Sequence, residues 1–461
     1  MSCATQQGMP DAGMSALEAL VPTCREAIVA GFSLVVSRFE RNRHYPWVDT
    51  KLNVRTGEDF PEPPDLETDF RGRSAVYGWI QGRGLESLAG HAAFLAGERD
   101  CAARADRMLA VVADRIMALR NANGGRFFFL FAPDGRPFRC GDDGRRQYVD
   151  PVGTPPGFAD LFVGKGLAAA GSRLGRPDLL AAGVETFRET TAAIAEGRFV
   201  SDQISFDPRN PTVSVPGRHA QGPWMIALGG YALMCELLPR DPEWVEGGST
   251  FLRRLLNRHI LARDDGRLRR LDFVEYTNDE GRPWFDQEKV LQDPGHAIEF
   301  TGLAARFLLR ATARPPLSTE LRELAATCRE TLPGIFLAAV SNGFQRRAGG
   351  ICKTFDLVAR VPVNDDMPWW ALPEAMRAAA LLLRLTPDHS RRAELVAATV
   401  DCARALFGLF RSPVPGFFLQ TRDAKGDPSP VIPATPDADP GYHTGLCLID
   451  FVNACIEKDV P

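Results

Sequence analysis

DPGHAIEFTGLAARFL, residues 293–308, reads as an apolar helix that opens with a histidine and a glutamate. Apolar residues recur at helical spacing from Ala297 onward, the mark of a buried face. Asp293 suits the N-cap and Pro294 the first helical position. Gly295 leaves room for something to approach the backbone. His296 then falls in the first turn, with Glu299 three residues on and on the same face. A second stretch, DPGYHTGLCLIDFV (439–452), repeats the design. Asp439 and Pro440 form the cap, and His443 lands one residue later than its counterpart.

Four further starts resemble these two: YGWIQGRGL at 77, GFADLFVGKGL at 157, GRHAQGPWMIAL at 217 and MPWWALPEAM at 367. The six recur at intervals of roughly 60–80 residues, a weak internal repeat. Helical periodicity predicts helices near 15–40, 76–96, 100–120, 158–173, 177–196, 218–238, 243–261, 294–312, 317–333, 367–386, 390–410 and 440–457. These pair off, with each distinctive start followed by a helix that is charged on one face, as in ELRELAATCRETLPGIFLAAV. Six inner and six outer helices closing on themselves give an all-α (α/α)6 barrel, with the inner starts crowding one end. An open helical solenoid satisfies the same periodicity. RFFFLF (126–131), DFVEY (272–276) and GFFLQT (416–421) read as short strands within long turn-rich loops. No composition shift marks a linker, so one domain over residues 1–461 is the simplest organisation.

The 461 residues carry 45% hydrophobic and 24% charged side chains, with a formal net charge of -4. That balance, without basic runs interleaved with aromatics, argues against a nucleic-acid partner. No window approaches 18 uninterrupted apolar residues and no signal-peptide pattern opens the chain, so no membrane span and a cytoplasmic location are expected. The ten cysteines show no CxxC or metal spacing, and Cys235, Cys328, Cys402, Cys447 and Cys455 fall in apolar helical patterns, as buried hydrophobes do. GKGLAA (164–169) is a loose glycine pattern inside a helix, with no βαβ unit to make a nucleotide site.

The histidine starts carry chemistry. The positive end of a helix disfavours imidazolium, so both rings are expected neutral and able to accept a proton. Glu299 is expected to hold the His296 ring or to bind a substrate hydroxyl. Two such bases facing one cavity suit removal and return of a proton at a carbon beside a carbonyl. Either start alone is an ordinary capped helix; the repetition and the nearby Glu299 carry the functional reading. Arg83 heads another inner helix, where a guanidinium can bind substrate oxygens. Trp79, Trp369 and Trp370 suit the faces of a sugar, and core packing explains Trp369 equally well. Glu374 shares a face with Trp370, and Arg377 pairs with it by spacing. His219 lies in a loop ahead of a helix starting near Trp224 and could assist ring opening. His44, His91, His259 and His389 fall among outer-helix or loop polar residues and are assigned no role. No spacing supports a metal.

At WIQGRG (79–84), NGGRFFFLFAPDGRP (123–137), PGHAIE (294–299), WWALPEAM (369–376) and GYHT (441–444) the chain resembles the N-acylglucosamine 2-epimerase family. That family includes renin-binding protein, mannose isomerases and cellobiose 2-epimerases. The resemblance runs from about Arg73 to Val452 and implies an (α/α)6 barrel. It implies that His296 and His443 are the catalytic histidines, that Glu299 is the acid following the first, and that Arg83 steadies substrate oxygens. Trp370 and Glu374 match the tryptophan and acid of the tandem-tryptophan block. The implied activity is a metal-independent sugar 2-epimerase acting on an open-chain aldose of N-acylglucosamine or N-acylmannosamine type. No cofactor is required, ATP serves as an activator in the epimerase branch, and a homodimer is compatible. An aldose–ketose isomerase, a glycoside hydrolase on the same barrel and a non-catalytic sugar-binding protein are the rivals. The chain departs from the family at Ala371-Leu372-Pro373, at Thr444-Gly445 after the last histidine, at Met225, where some isomerases carry histidine, and in a long 44–70 segment. All of these lie around the pocket.

Overall fold

The computed structural model describes residues 12–62, 65–68, 70–141, 143–201, 215–387, 390–431 and 435–456. His389 lies outside them. A short helix, α1 (Ala12–Glu18), leads into α2 (Val21–Arg41), where one helix over 15–40 is expected. Pro22, which suits only a first turn, places the new start. Helices then alternate in chain order: α3 (Gly78–Phe94), α4 (Arg99–Ala122), α5 (Phe158–Leu174), α6 (Pro177–Ala195), α7 (Gly222–Leu237), α8 (Glu243–His259), α9 (Pro294–Ala311), α10 (Thr319–Gly343), α11 (Ala371–Leu385), α12 (Arg392–Arg404) and α13 (Cys447–Ile456).

The odd-numbered members from α3 to α13 pack each on the next, and the turn at Tyr442–Leu446 ahead of α13 packs back on α3. That contact closes the ring and decides for the (α/α)6 barrel over the open solenoid. Burial separates the two layers. In α5 every residue from Ala159 to Gly171 is buried, as in a helix covered on all sides. In the outer α4 only the stripe Ala102, Ala105, Met108, Leu109, Val112, Ala113, Ile116 and Leu119 is buried. α10 continues through Pro333, ten residues past its expected end, because Leu332–Leu337 are buried and hold the helix together across the missing hydrogen bond.

The stretch Met14–Arg41 is long and apolar enough, by length and composition, to cross a membrane. In this fold α2 is an outer helix packed on α4 and α13, with Cys24, Ile28, Phe32, Val35 and Val36 buried. Arg38, also buried, is paired with Asp49 at 3.1 Å. Cys235, Cys328, Cys402, Cys447 and Cys455 are buried and unpaired, as their apolar setting predicts.

Short antiparallel ribbons sit just ahead of the inner helices. Val76–Tyr77 pairs with Leu130–Phe131 before α3, and His219–Ala220 pairs with Tyr276–Thr277 before α7. Leu291–Gln292 pairs with Thr354–Asp356 before α9, and Met367–Pro368 with Thr421–Arg422 before α11. The three expected strands are thus present only at their ends. Phe127, Phe128 and Phe129 lie outside the ladder and are buried in the core.

Candidate active site

Four of the inner starts bring the sequence candidates together. Asp293 caps α9 as expected, its side chain accepting from the backbone N–H of Gly295 (2.9 Å) and His296 (3.3 Å). What approaches Gly295 is Trp370: a Cβ there would stand 2.7 Å from the indole. The Trp370 ring packs on both imidazoles, 5.4 Å from His296 and 5.6 Å from His443 between centroids. His443 stands on a widened π turn, Tyr442–Leu446, a distortion that recurs at functional sites. Gly441 enters it with φ 89°, a conformation that glycine adopts without strain. Asp439 ties the turn down through the N–H groups of Tyr442 (2.9 Å), His443 (3.3 Å) and Thr444 (2.8 Å).

Both imidazoles are anchored at Nδ1 by a carboxylate. His443 Nδ1 lies 2.9 Å from Glu374 Oε1, and Arg377 grips the other oxygen of that carboxylate. His296 Nδ1 lies 3.1 and 3.3 Å from the two oxygens of Glu275, and 3.4 Å from Asp293. A carboxylate only accepts, so Nδ1 carries the proton in each ring and Nε2 is the nitrogen these carboxylates leave free.

The surroundings drive the two rings apart. Burial alone would push His296 down, but Asp293 and Glu275 outweigh it and hold the ring up at about 9. Burial, joined by the Arg83 charge, pushes His443 down to about 4 against Glu299 and Asp439. The surroundings therefore favour the neutral ring expected from the helix terminus at His443 and oppose it at His296. The terminus effect is about 0.3–1 kcal/mol, whereas a charge at contact distance moves a pKa by about 1–3 units.

Glu299 does not hold the His296 ring; Glu275 does. Glu299 lies instead with Glu374 and His443, one donor atom of each within 4.8 Å of the others. Burial and the neighbouring Glu374 charge push its carboxyl up. Three such atoms could gather a cation, but Arg377 already supplies the positive charge on Glu374 and His443 spends its Nδ1 there. The arrangement reads as an acid–base cluster rather than a metal centre.

Arg83 sits in an aromatic cage, its guanidinium 4.3 Å above Phe162, 5.1 Å from Tyr442 and 5.2 Å from Trp79. It forms no ion pair among the described residues, and its buried Nε has no hydrogen-bond partner. Tyr442 is fixed by Lys165, whose Nζ lies 2.7 Å from the hydroxyl and 3.0 Å from Glu86. Trp79 is walled in by Phe129, Phe158 and Phe162, and Trp369 donates to Thr444 at 3.2 Å, so both brace the site from behind. His219 stands apart, exposed on its ribbon, with Nε2 2.7 Å from Asp279. α7 begins at Gly222, as Pro223 predicts. His91 proves to be on an inner helix, buried and stacked on Phe32 at 5.0 Å.

Sequence reasoning missed Glu275, Lys353, Lys165 and Glu86. Glu275 had a faint signal, an acid inside the apolar run DFVEY. The other three had none, because lysine and glutamate on helices and loops usually mean solvent.

The closed helical barrel is the fold of the (α/α)6-barrel sugar epimerases and isomerases. The model of the N-acylglucosamine 2-epimerase family matches residues 158–447, and the chain belongs to that family. Solved structures of the same fold include a sugar epimerase from a ruminal bacterium, 11% identical with TM-score 0.66, covering 94% of this chain and 98% of that one. A D-mannose isomerase is 12% identical with TM-score 0.61, covering 97% and 100%. Cellobiose 2-epimerase from Bacillus thermoamylovorans B4167 is 13% identical with TM-score 0.60, covering 91% and 99%. No curated protein matches the sequence.

Proposed function

We propose that the protein is a sugar 2-epimerase working on an open-chain aldose. One observation carries this reading: two imidazoles from different inner starts flank the Trp370 ring, each anchored at Nδ1 by a carboxylate, in surroundings that favour opposite charge states. A neutral ring takes a proton and a charged ring gives one, so the pair is ready for both halves of an exchange at one carbon. His443 Nε2 removes the C2 hydrogen, which is acidic because the aldehyde at C1 accepts the electron pair as an enediolate. His296 Nε2–H delivers a proton to the opposite face of C2. Arg83, with an unspent N–H, stabilises the enediolate oxygens, and Glu299 holds a hydroxyl. Trp370 supplies an apolar face for the sugar carbons.

A single shuttling base suffices to move a proton from C2 to C1, and two rings of opposite charge favour epimerisation over that aldose–ketose route. The family description points first to N-acylated hexosamines; free hexoses and reducing disaccharides come next, as the names of the similar structures suggest. The test is an NMR screen of these three sugar groups with the purified protein in deuterated water. Loss of the C2 proton signal together with growth of the 2-epimer supports the reading. Growth of a ketose assigns the isomerase, and release of a glycone without C2 exchange assigns a hydrolase.

A further inference from the structure

We propose that Glu275 is the positioning residue of His296, acting with Asp293 to keep that ring charged as the proton donor in the direction in which His443 is the base. The proposal rests on the epimerase reading and adds which histidine gives the proton and what compels it to.

The geometry is specific. Both Glu275 oxygens lie within 3.3 Å of His296 Nδ1, and Asp293 Oδ2 adds a second carboxylate at 3.4 Å. Glu275 is held still: its N–H donates to Leu291 O (2.9 Å), its carbonyl accepts from Gln221 N (3.2 Å), and Gln221 Nε2 reaches its carboxylate at 3.3 Å. Gln221 is fully buried, so this support is shielded from water. Lys353 opposes the clamp. Its Nζ lies 2.6 Å from Asp293 Oδ2 and takes part of that charge. Trp370, just ahead of α11, packs on the ring, and Glu299 lies one turn along α9. At His443 the balance differs, because its single anchoring carboxylate is already gripped by Arg377. Two carboxylates opposed by one lysine hold the proton on His296, whereas at His443 burial with Arg83 and Arg377 prevails over Glu299 and Asp439.

The test is an NMR pH titration of the His296 ring in the full-length protein, assigned by the signal that disappears in His296→Asn. Glu275→Gln is expected to move the midpoint down by about one pH unit or more, and Lys353→Met to move it up. The alkaline limb of the rate of 2-epimer formation should follow in the same directions while the acid limb stays in place, and Glu275→Asp should restore part of the shift. A merely structural disturbance would move both variants the same way. An unchanged midpoint in Glu275→Gln, or shifts of one sign in both variants, overturns the proposal. The titration needs no substrate, so a protein that exchanges no sugar hydrogen would defeat the epimerase reading while leaving this result decisive on its own.

Discussion

His443 Nδ1 and Glu374 Oε1 are 2.9 Å apart, deep in the barrel, with Arg377 on the far side of the same carboxylate. Glu374 thus fixes which nitrogen of His443 carries the proton. Glu374→Gln loses the enforced tautomer, and C2 exchange should fall by roughly 10²-fold or more with KM little changed. The same change leaves Arg377 buried without its counter-charge, which costs on the order of 3–5 kcal/mol. Thermal unfolding should show that loss largely recovered in the Glu374→Gln/Arg377→Met double variant.

The pH profile follows from the two rings. His443 must be neutral, which holds above about 4. His296 must be charged, which holds below about 9. The rate of 2-epimer formation should therefore be flat between these limits, falling below the first as His443 gains a proton and above the second as His296 loses one. An acid limb near the ordinary histidine value, measured by initial rates across pH, would contradict the buried neutral ring.

Glu299 is pushed toward its protonated form by burial and by Glu374. A neutral carboxyl and an amide both donate a hydrogen bond. Glu299→Gln should keep activity within about 10-fold, while Glu299→Ala should lose roughly 10²-fold. Equal losses in the two variants, measured as kcat/KM, would show that the negative charge is what matters.

Gly295 is where α9 admits Trp370. A Cβ there would meet the indole at 2.7 Å and the Ala371 Cβ at 3.1 Å. Gly295→Ala must displace the ring that touches both histidines, so activity should drop at least ~10-fold at a stability cost of about 1–3 kcal/mol. Thermal unfolding and exchange rates measured on one preparation separate the two effects.

Much of this was legible in the residues. Helical periodicity fixed α3 to α9 closely, because inner and outer layers impose different burial on the same 3.6-residue repeat. Asp293, Pro294 and His296 could be placed because capping chemistry is local. The site's electrostatics could be read only in part, since beside Asp293 they depend on groups remote in sequence: Glu275 lies 21 residues before His296, and Lys353 reaches Asp293 across 60. Asp293 was visible only as the cap of α9, and at His296 its charge joins that of Glu275 to override the helix terminus. His219 was drawn in by its place ahead of α7, yet the ribbon turns it outward to Asp279.

Hydrogen exchange at C2 in deuterated water, followed for each epimer of the substrate in His443→Asn and His296→Asn, tests the central claim most directly. The account predicts an asymmetry: His296→Asn still exchanges the hydrogen of the epimer that presents it to His443, without forming the other epimer, whereas His443→Asn does not exchange it. Exchange of that hydrogen persisting in His443→Asn would contradict the account.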